Sequence, residues 1–238
     1  MTSEHSQAPE RDEPLSRDED ERALVSGLFA TLARHAVVVE TGPPQCGREV
    51  LLGSEGEVVA GAVEKRLREF ATGRQLARRA LAQLGFAPQP LVTGPDRAPR
   101  WPDGAVGSIA HTDGLCLAVC ARRADWRSLG VDIEPDRPLA DELQSYVLRP
   151  EELERVGAES GADRAALATF CAKEAVYKCQ YPLSNQMLEF HDVRVELDAT
   201  GSFTAEILVA PTGAPWRLVH GKLALTSGHL FAAAALPA

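Results

Sequence analysis

The chain has 238 residues, of which 45% are apolar and 25% charged, and this is enough for one large domain or two lobes with hydrophobic cores. Because no apolar run approaches the roughly 20 residues that cross a bilayer, no membrane partner is expected. The N-terminal residues also lack the apolar segment of a secretory signal, so the sequence predicts a cytoplasmic protein.

The net charge of −9 is distributed unevenly along the chain. Residues 1–21 contain eight acidic residues against Arg11 and Arg17, and this net charge of −6 leaves −3 for the rest. A polar, acidic segment that contains proline is usually disordered, so we predict a disordered acidic tail over residues 1–21. The remainder shows no basic stripe of the kind that binds nucleic acid, and no nucleic-acid partner is expected.

The first elements after this tail are short. Residues 23–32 have the pattern of an amphipathic helix, and AVVVE over residues 36–40 has that of a strand. Residues 53–56 are predicted to be loop because they contain two glycines.

Two helices and a long loop follow. The pattern predicts helices over residues 58–70 and 74–84, with a break at Thr72-Gly73 and an end at Gly85. Residues 88–104 are rich in proline and glycine, without periodicity, and loops of this length are often functional.

Two later segments resemble each other. SIAHTDGLCLAVCA (108–121) and KLALTSGHLFAAAA (222–235) align without gaps at an offset of 114, and each has the pattern of a β-hairpin. The similarity indicates either two related lobes or a chance likeness, since alanine-rich hairpins look alike. With related lobes, each would pack helices on a mainly antiparallel sheet, which predicts an α+β fold with lobes over residues 22–125 and 126–238.

Cysteine usage points to reduced thiols. The five cysteines form no C-x-x-C pair, and most lie among apolar residues, so buried thiols are expected rather than disulfides or a zinc site. The cysteines are Cys46, Cys116, Cys120, Cys171 and Cys179.

The segment LGVDIEPD (129–136) has the period-2 pattern of a strand. Asp132 and Glu134 therefore share one face, although like charges repel and an unpaired buried carboxylate costs several kcal/mol. Some partner must make this pair tolerable.

The segment LATFCAKEAVYKC (167–179) has helical periodicity and supplies a candidate partner. Glu174 and Lys178 fall on the face of Leu167, whereas Thr169 and Lys173 fall on the other, predicted polar face. A surface Glu-Lys pair at i,i+4 is the ordinary explanation for this spacing, but it does not explain the apolar face.

Asp132, Glu134 and Glu174 together can share one divalent cation. Oxygen ligands suit Mg²⁺, or Mn²⁺ as a substitute, and Mg²⁺ completes its coordination with water and substrate phosphates. Lys178 would act on the same phosphates as a point charge. The residues thus predict a phosphate-transfer or phosphate-binding site.

Cations of the first half could extend this site. Several lie along KRLREFATGRQLARR (65–79), where Arg66 and Arg74 are either solvated helix arginines or a clamp for a substrate with several phosphates. His111 shares the face of Ile109 and takes the place of Leu225 in the second hairpin. It is either a core histidine or a ligand of a bound anion.

These motifs together resemble the phosphopantetheinyl transferases, and most closely their two-lobed branch associated with surfactin and enterobactin synthetases. The matching segments are KRLREFATGRQLARRALAQLG, RWPDGAVGSIAHTDG, GVDIEP and FCAKEAVYK, in the family's order. The loop departs from the pattern at Asp96, where relatives often carry a basic residue, so Arg97 or Arg100 could substitute.

The resemblance implies coenzyme A as donor and an apo acyl or peptidyl carrier protein as acceptor. It implies that Asp132, Glu134 and Glu174 hold magnesium and that Glu174 and Lys178 are catalytic. Glu174 would be the base for the attacking serine, directly or through a water on the metal. The residues implied to bind coenzyme A are Arg66, Arg74, Arg97, Arg100, Ser108, His111, Asp132 and Lys178.

Two alternatives use the same residues: a magnesium-dependent hydrolase of nucleotide pyrophosphates such as coenzyme A, and a non-catalytic coenzyme A-binding module. Fatty-acid, polyketide, nonribosomal-peptide and siderophore carriers all present a serine, so the sequence does not name the acceptor. The family branch implies a monomer.

Overall fold

The structure is a computed structural model that describes residues 16–94, 97–158, 162–209, 216–226 and 228–238. Within these residues, the strands form two antiparallel sheets, and helices cover the outer faces. The strands are β1 (Val38–Gly42), β2 (Ala105–Thr112), β3 (Leu115–Arg122), β4 (Trp126–Pro135), β5 (Val193–Leu197), β6 (Ser202–Ile207), β7 (Leu218–Thr226) and β8 (His229–Pro237). The α-helices are α1 (Arg17–Leu32), α2 (Glu55–Val58), α3 (Glu64–Gln83), α4 (Asp141–Val147), α5 (Pro150–Ala158) and α6 (Ala162–Ser184).

The two sheets repeat one arrangement. The first has the order β1-β3-β2, and the second begins with the equivalent order β4-β8-β7 before adding β6 and β5. The predicted hairpins also share their register, because His111 lies opposite Cys116 and Leu225 lies opposite Leu230. The α+β prediction with antiparallel sheets is confirmed, whereas the division into domains at residues 125 and 126 stays a prediction.

The sheets pack face to face, with α3 and α6 on the outside. Val106 and Leu117 of the first sheet share a core with Val131 and Phe231 of the second. The outer face of the first sheet packs against α3, and that of the second packs against α6. Helix α1 contacts β1, β7 and β8, so it packs against both sheets.

The acidic tail was predicted too long. Helix α1 begins at Arg17, so residues 17–21 are helical, and only residues 1–15 of the predicted tail lie outside the described residues. Ser16 and Glu19 form a capping box at the start of α1. The acids of this first turn also complement the helix dipole, so the charges that we assigned to disorder stabilise a helix end.

The predicted helix break at Thr72-Gly73 is also wrong. Helix α3 is continuous from Glu64 to Gln83, and a Cβ at position 73 would lie 2.9 Å from Ile109 Cγ2. Gly73 therefore permits close packing of α3 on β2 instead of ending a helix. The predicted end at Gly85 agrees with its positive φ of 86°.

Smaller predictions had mixed outcomes. The short helix α2 occupies the second half of the predicted loop at residues 53–56, and β1 lies two residues later than predicted. The described part of the loop 88–104 has no helix and only an isolated bridge between Thr93 and Pro99. All five cysteines are free thiols, and four are buried, as predicted. No described helix is both long and apolar enough to cross a membrane.

Gly130 permits the closest approach between a helix and a strand at the predicted site. A Cβ on this β4 residue would lie 1.9 Å from the Ala175 carbonyl oxygen and 2.7 Å from the Cys179 amide nitrogen, both in α6. Because both neighbours are backbone atoms, a side chain must push α6 away from β4. This contact places α6 beside the acidic residues of β4.

We expect Gly130→Ala to lower the free energy of unfolding by about 3 kcal/mol or more, since backbone overlap is not relieved by side-chain rotation. Chemical denaturation would measure this change. The control is Gly27→Ala on α1, where no atom lies within 4 Å and alanine should stabilise the helix by about 0.5–1 kcal/mol. Equal stability of Gly130→Ala and the original protein would contradict the expected overlap.

Candidate active site

The acidic face of β4 points at α6. Leu129, Val131 and Ile133 are fully buried in the core between the sheets, so the alternating Asp132 and Glu134 face the opposite way, as predicted. Lys178 Nζ of α6 donates a hydrogen bond of 2.6 Å to Asp132 Oδ1. The ammonium group of Lys178 is the partner that makes the acidic pair tolerable.

Helix α6 contains the predicted segment 167–179. Two of its lysines pair with acids of different elements, Lys178 with Asp132 and Lys173 with Glu152. Lys178 pairs with Asp132 across the two elements instead of forming the ordinary surface pair with Glu174. Burial lowers the pKa of Lys178, but Asp132 and Glu174 outweigh it and leave this pKa raised, so Lys178 is a cation at neutral pH.

The three predicted metal ligands influence one another electrostatically. Burial, followed by Asp132, raises the pKa of Glu134 to about 7, and the same causes raise the pKa of Glu174. Asp132 Oδ2 is buried and lacks a hydrogen-bond partner among the described residues. A buried carboxylate oxygen in this position suits a hard cation such as Mg²⁺.

The full ligand set nevertheless stays a prediction. In the described part of the chain, no group of three His, Cys, Asp or Glu side chains has the arrangement of a metal site. The chemical type of the residues, their proximity and the unpaired Asp132 oxygen fit a divalent cation, whereas the side-chain positions do not by themselves form its coordination shell.

A cavity of about 620 Å³ lies between α3, β2, the loop 88–104 and α6. It brings together most residues predicted to bind coenzyme A. Arg100 is exposed and does not line the cavity, and Asp96 lies outside the described residues. Asp132 is not a lining residue either, but it pairs with Lys178, which is one. The predicted residues that line the cavity are Arg66, Arg74, Arg97, Ser108, His111 and Lys178.

Arg74 is not a solvated helix arginine. It is 5% exposed, its Nε donates to the Leu91 carbonyl oxygen at 3.0 Å, and its second nitrogen donates to Thr93 Oγ1 at 2.9 Å. Its guanidinium also stacks 4.4 Å above the Phe70 ring. Burial lowers the pKa of Arg74 to about 10, which still leaves it charged at neutral pH. Arg74 thereby ties α3 to the long loop at the cavity wall.

The same loop is anchored by a buried acid that sequence analysis missed. Glu55 is fully buried, and its carboxylate accepts hydrogen bonds from Arg78 at 2.7 and 2.9 Å and from the Leu91 amide at 2.7 Å. Its place in a predicted loop concealed it, because a charged loop residue is ordinarily solvated.

Ser108 and His111 reach the cavity from opposite faces of β2. Ser108 Oγ accepts a hydrogen bond of 3.1 Å from the Val131 amide and so joins the two sheets. His111 Nε2 lies 2.7 Å from Arg66, and its Nδ1 lies 3.5 Å from Glu69. Burial lowers the pKa of His111, and Glu69 opposes this effect. His111 is therefore a cavity residue and not a core histidine.

A second cavity of about 380 Å³ adjoins the first. Tyr177 and Met187 line both, and Glu174 lines the second. Sequence analysis missed both shared residues, since Met187 follows the helix and Tyr177 has no charge to mark it. The two cavities place Glu174 and Lys178 near their junction.

Thr169 and Lys173 contradict the predicted polar face of α6. Thr169 is fully buried and Lys173 is 2% exposed. Lys173 Nζ donates to Glu152 Oε2 at 2.6 Å and to the carbonyl oxygens of Val147 and Phe190. Helices α4 and α5 and the turn at Phe190 cover this face of α6, which periodicity alone does not reveal.

Comparison with known proteins agrees with this geometry. The 4'-phosphopantetheinyl transferase N-terminal domain family matches residues 54–121, and the 4'-phosphopantetheinyl transferase superfamily matches residues 128–234. The first match contains the arginines and His111, and the second contains the acids and Lys178.

Three curated relatives carry the same name. The 4'-phosphopantetheinyl transferase Svp of Streptomyces mobaraensis is 44% identical over 71% of this chain and 70% of its own. Npt of Nocardia iowensis is 34% identical over 76% of this chain and 87% of its own. PptT of Mycobacterium tuberculosis is 36% identical over 78% of this chain and 86% of its own. The chain therefore belongs to the 4'-phosphopantetheinyl transferase superfamily and is an enzyme of that family.

Proposed function

We propose that this enzyme transfers the 4'-phosphopantetheine arm of coenzyme A to a serine of an apo carrier protein and releases 3',5'-ADP. The observation that carries the proposal is the single cavity that joins Arg66, Arg74 and His111 to Lys178 and, through it, to Asp132. The relatives are named as transferases, which favours transfer over the hydrolase and binding-module alternatives.

The nucleotide part of coenzyme A would occupy the larger cavity. Arg66, Arg74 and His111 line this cavity. Arg97 also lines it, from the long loop, and is therefore a better candidate than Arg100 for a phosphate contact. Arginine suits this role because its planar guanidinium binds phosphate oxygens in pairs. The pantetheine arm would extend past Tyr177 and Met187 into the smaller cavity.

Asp132, Glu134 and Glu174 are the residues that would hold Mg²⁺, with Mn²⁺ as a substitute. The cation would neutralise charge on the diphosphate of coenzyme A, as metal ions do in other phosphoryl transfers. The support for this set is the unpaired Asp132 oxygen together with the raised pKa of Glu134 and Glu174.

The protein's own groups can perform the remaining steps. The serine oxygen attacks the phosphorus that bears the pantetheine arm, and the bond from this phosphorus to the bridging oxygen breaks, which releases 3',5'-ADP. Lys178 stabilises negative charge on the phosphoryl oxygens. Glu174 accepts the serine proton at its carboxylate, directly or through a water molecule.

Incubation with coenzyme A and an apo carrier protein would test the function by mass spectrometry. A mass gain of one phosphopantetheine arm on the carrier supports transfer. Release of 3',5'-ADP without a carrier would instead support hydrolysis, and binding without either product would support a non-catalytic module. A panel of acyl and peptidyl carriers would identify the acceptor, and a monomeric, cytoplasmic enzyme stays our prediction.

At a pH low enough to protonate the His111 ring, we expect His111→Ala to weaken coenzyme A binding by about ten- to a hundredfold, because the 3'-phosphate would lose a charged hydrogen bond from the imidazolium. Binding of 3'-dephospho-coenzyme A should change much less. Isothermal titration calorimetry with both ligands measures the difference. The control is His220→Ala, an exposed strand residue outside both cavities. An equal loss for both ligands would show that His111 has a structural role.

A further inference from the structure

Glu69 is an acid in the wall of a cavity that otherwise carries cations. It lies on α3, and its side chain is 8% exposed. Its Oε2 lies 3.5 Å from His111 Nδ1 and 4.0 Å from Arg66, and its Oε1 lies 4.0 Å from Lys65 Nζ. Three basic groups therefore surround one buried carboxylate.

A carboxylate in this position requires a physical reason. It repels a bound phosphate, and its burial costs free energy unless cations offset it. The carboxylate reduces the repulsion between the basic groups. Arg66 and His111 lie 2.7 Å apart, and Arg66 disfavours a charge on the histidine. Glu69 supplies the opposite charge to both groups from the cavity wall beside them.

The position of Glu69 also determines how His111 presents its ring. The carboxylate beside Nδ1 favours a proton on that nitrogen, which leaves Nε2 directed to Arg66 at the cavity. Since a guanidinium only donates, Nε2 of the neutral ring accepts from it. When the ring gains a second proton, Nε2–H can donate to an anion in the cavity.

The titratable groups around His111 come from four elements. Burial lowers its pKa, and Arg66 on α3 and Lys178 on α6 lower it further, whereas Glu69 on α3 and Asp132 on β4 raise it. On β3, the opposed Cys116 stays neutral because burial raises its pKa to about 12. Glu69 is the strongest of the groups that favour the charged ring.

We propose that Glu69 is a positioning residue that orients the His111 ring and supplies its counter-charge, and that it thereby determines the preference of this site for a 3'-phosphorylated nucleotide. The inference rests on the proposed function, in which His111 contacts the 3'-phosphate of coenzyme A. Glu69 itself would touch His111 and Arg66, not the phosphate.

The test compares dissociation constants for coenzyme A and 3'-dephospho-coenzyme A by calorimetry between about pH 5 and pH 8. We expect Glu69→Gln, which keeps the shape and removes the charge, to reduce the preference for coenzyme A by about fivefold to tenfold, since a nearby charge contributes about one pKa unit. The preference requires a protonated His111, so it is present at low pH and lost as the pH rises. Without the Glu69 charge the pKa of His111 falls further. The Glu69→Gln variant should therefore lose its preference for coenzyme A at a lower pH than the original protein does.

The matched control is Glu64→Gln on the same helix, because Glu64 is exposed and pairs with Arg68 away from His111. This variant should retain both the preference and its pH profile. Should Glu69→Gln fail to fold, Glu69→Asp keeps the charge and moves it away from His111, and we expect it to reduce the preference by a smaller factor. A thermal melt of each variant distinguishes loss of folding from loss of preference.

A double-mutant cycle shows whether Glu69 acts through His111. In the His111→Ala background, Glu69→Gln should leave the ratio of the two dissociation constants unchanged. An unchanged ratio and pH profile in the single Glu69→Gln variant, or the same reduction with and without His111, would overturn the inference. If the unaltered protein bound neither ligand, the proposed function would fail instead, so the two failures are distinguishable.

Discussion

Replacement of Glu174 with glutamine is expected to reduce the rate of carrier modification by about two to four orders of magnitude, the range of general-base catalysis. Glutamine has nearly the same shape but cannot accept the serine proton. Coenzyme A affinity should remain largely intact, because the cations that line the larger cavity are unchanged and Glu174 lines only the smaller one. The expected result is therefore a large fall in kcat with little change in ligand binding.

A rate assay with an apo carrier and calorimetry with coenzyme A together measure this separation. Glu154→Gln is the control, since Glu154 is an exposed carboxylate on α5 and lines neither cavity. Near-normal turnover of Glu174→Gln would refute the assignment of Glu174 as the base. A parallel loss of turnover and affinity would show that Glu174 acts by holding the cation on the diphosphate and not as the base.

Replacement of Lys173 with methionine is expected to lower the free energy of unfolding by about 3–5 kcal/mol, the usual cost of removing one partner of a buried ion pair. The ammonium group donates to Glu152 Oε2 at 2.6 Å, to Val147 O at 2.9 Å and to Phe190 O at 3.0 Å. Burial lowers the pKa of Lys173, and Glu152 opposes this effect. Methionine fills much of the same volume but leaves the Glu152 carboxylate buried without a counter-charge.

Urea denaturation would measure the loss, with Lys222→Met as the matched control. Lys222 donates to the hydroxyls of Thr200 and Ser202 near the surface, so its replacement should cost less than about 0.5 kcal/mol. Adding Glu152→Gln to Lys173→Met should restore part of the stability, because it removes the unpaired charge. Similar stabilities of the Lys173→Met and Lys222→Met variants would contradict a buried pair.

Local periodicity was sufficient for the features that depend on a single element. The alternation of LGVDIEPD placed Asp132 and Glu134 on one face of β4, and both predicted hairpins are present in the structure. These predictions succeeded because a strand repeats every two residues whatever it packs against. The helix break at Gly73 failed because a glycine that ends a helix and one that permits close packing look alike in sequence.

The sequence by itself determined the residue types of the site and their order along the chain, and hence the family and its chemistry. Only the tertiary structure decided which of these side chains meet. Lys173 is buried because α4 and α5 cover its face of α6, Lys178 pairs with Asp132 rather than Glu174, and Glu69 lies behind His111. Such contacts join residues about 20 to 46 positions apart, and they depend on the packing of whole elements, which no local pattern encodes.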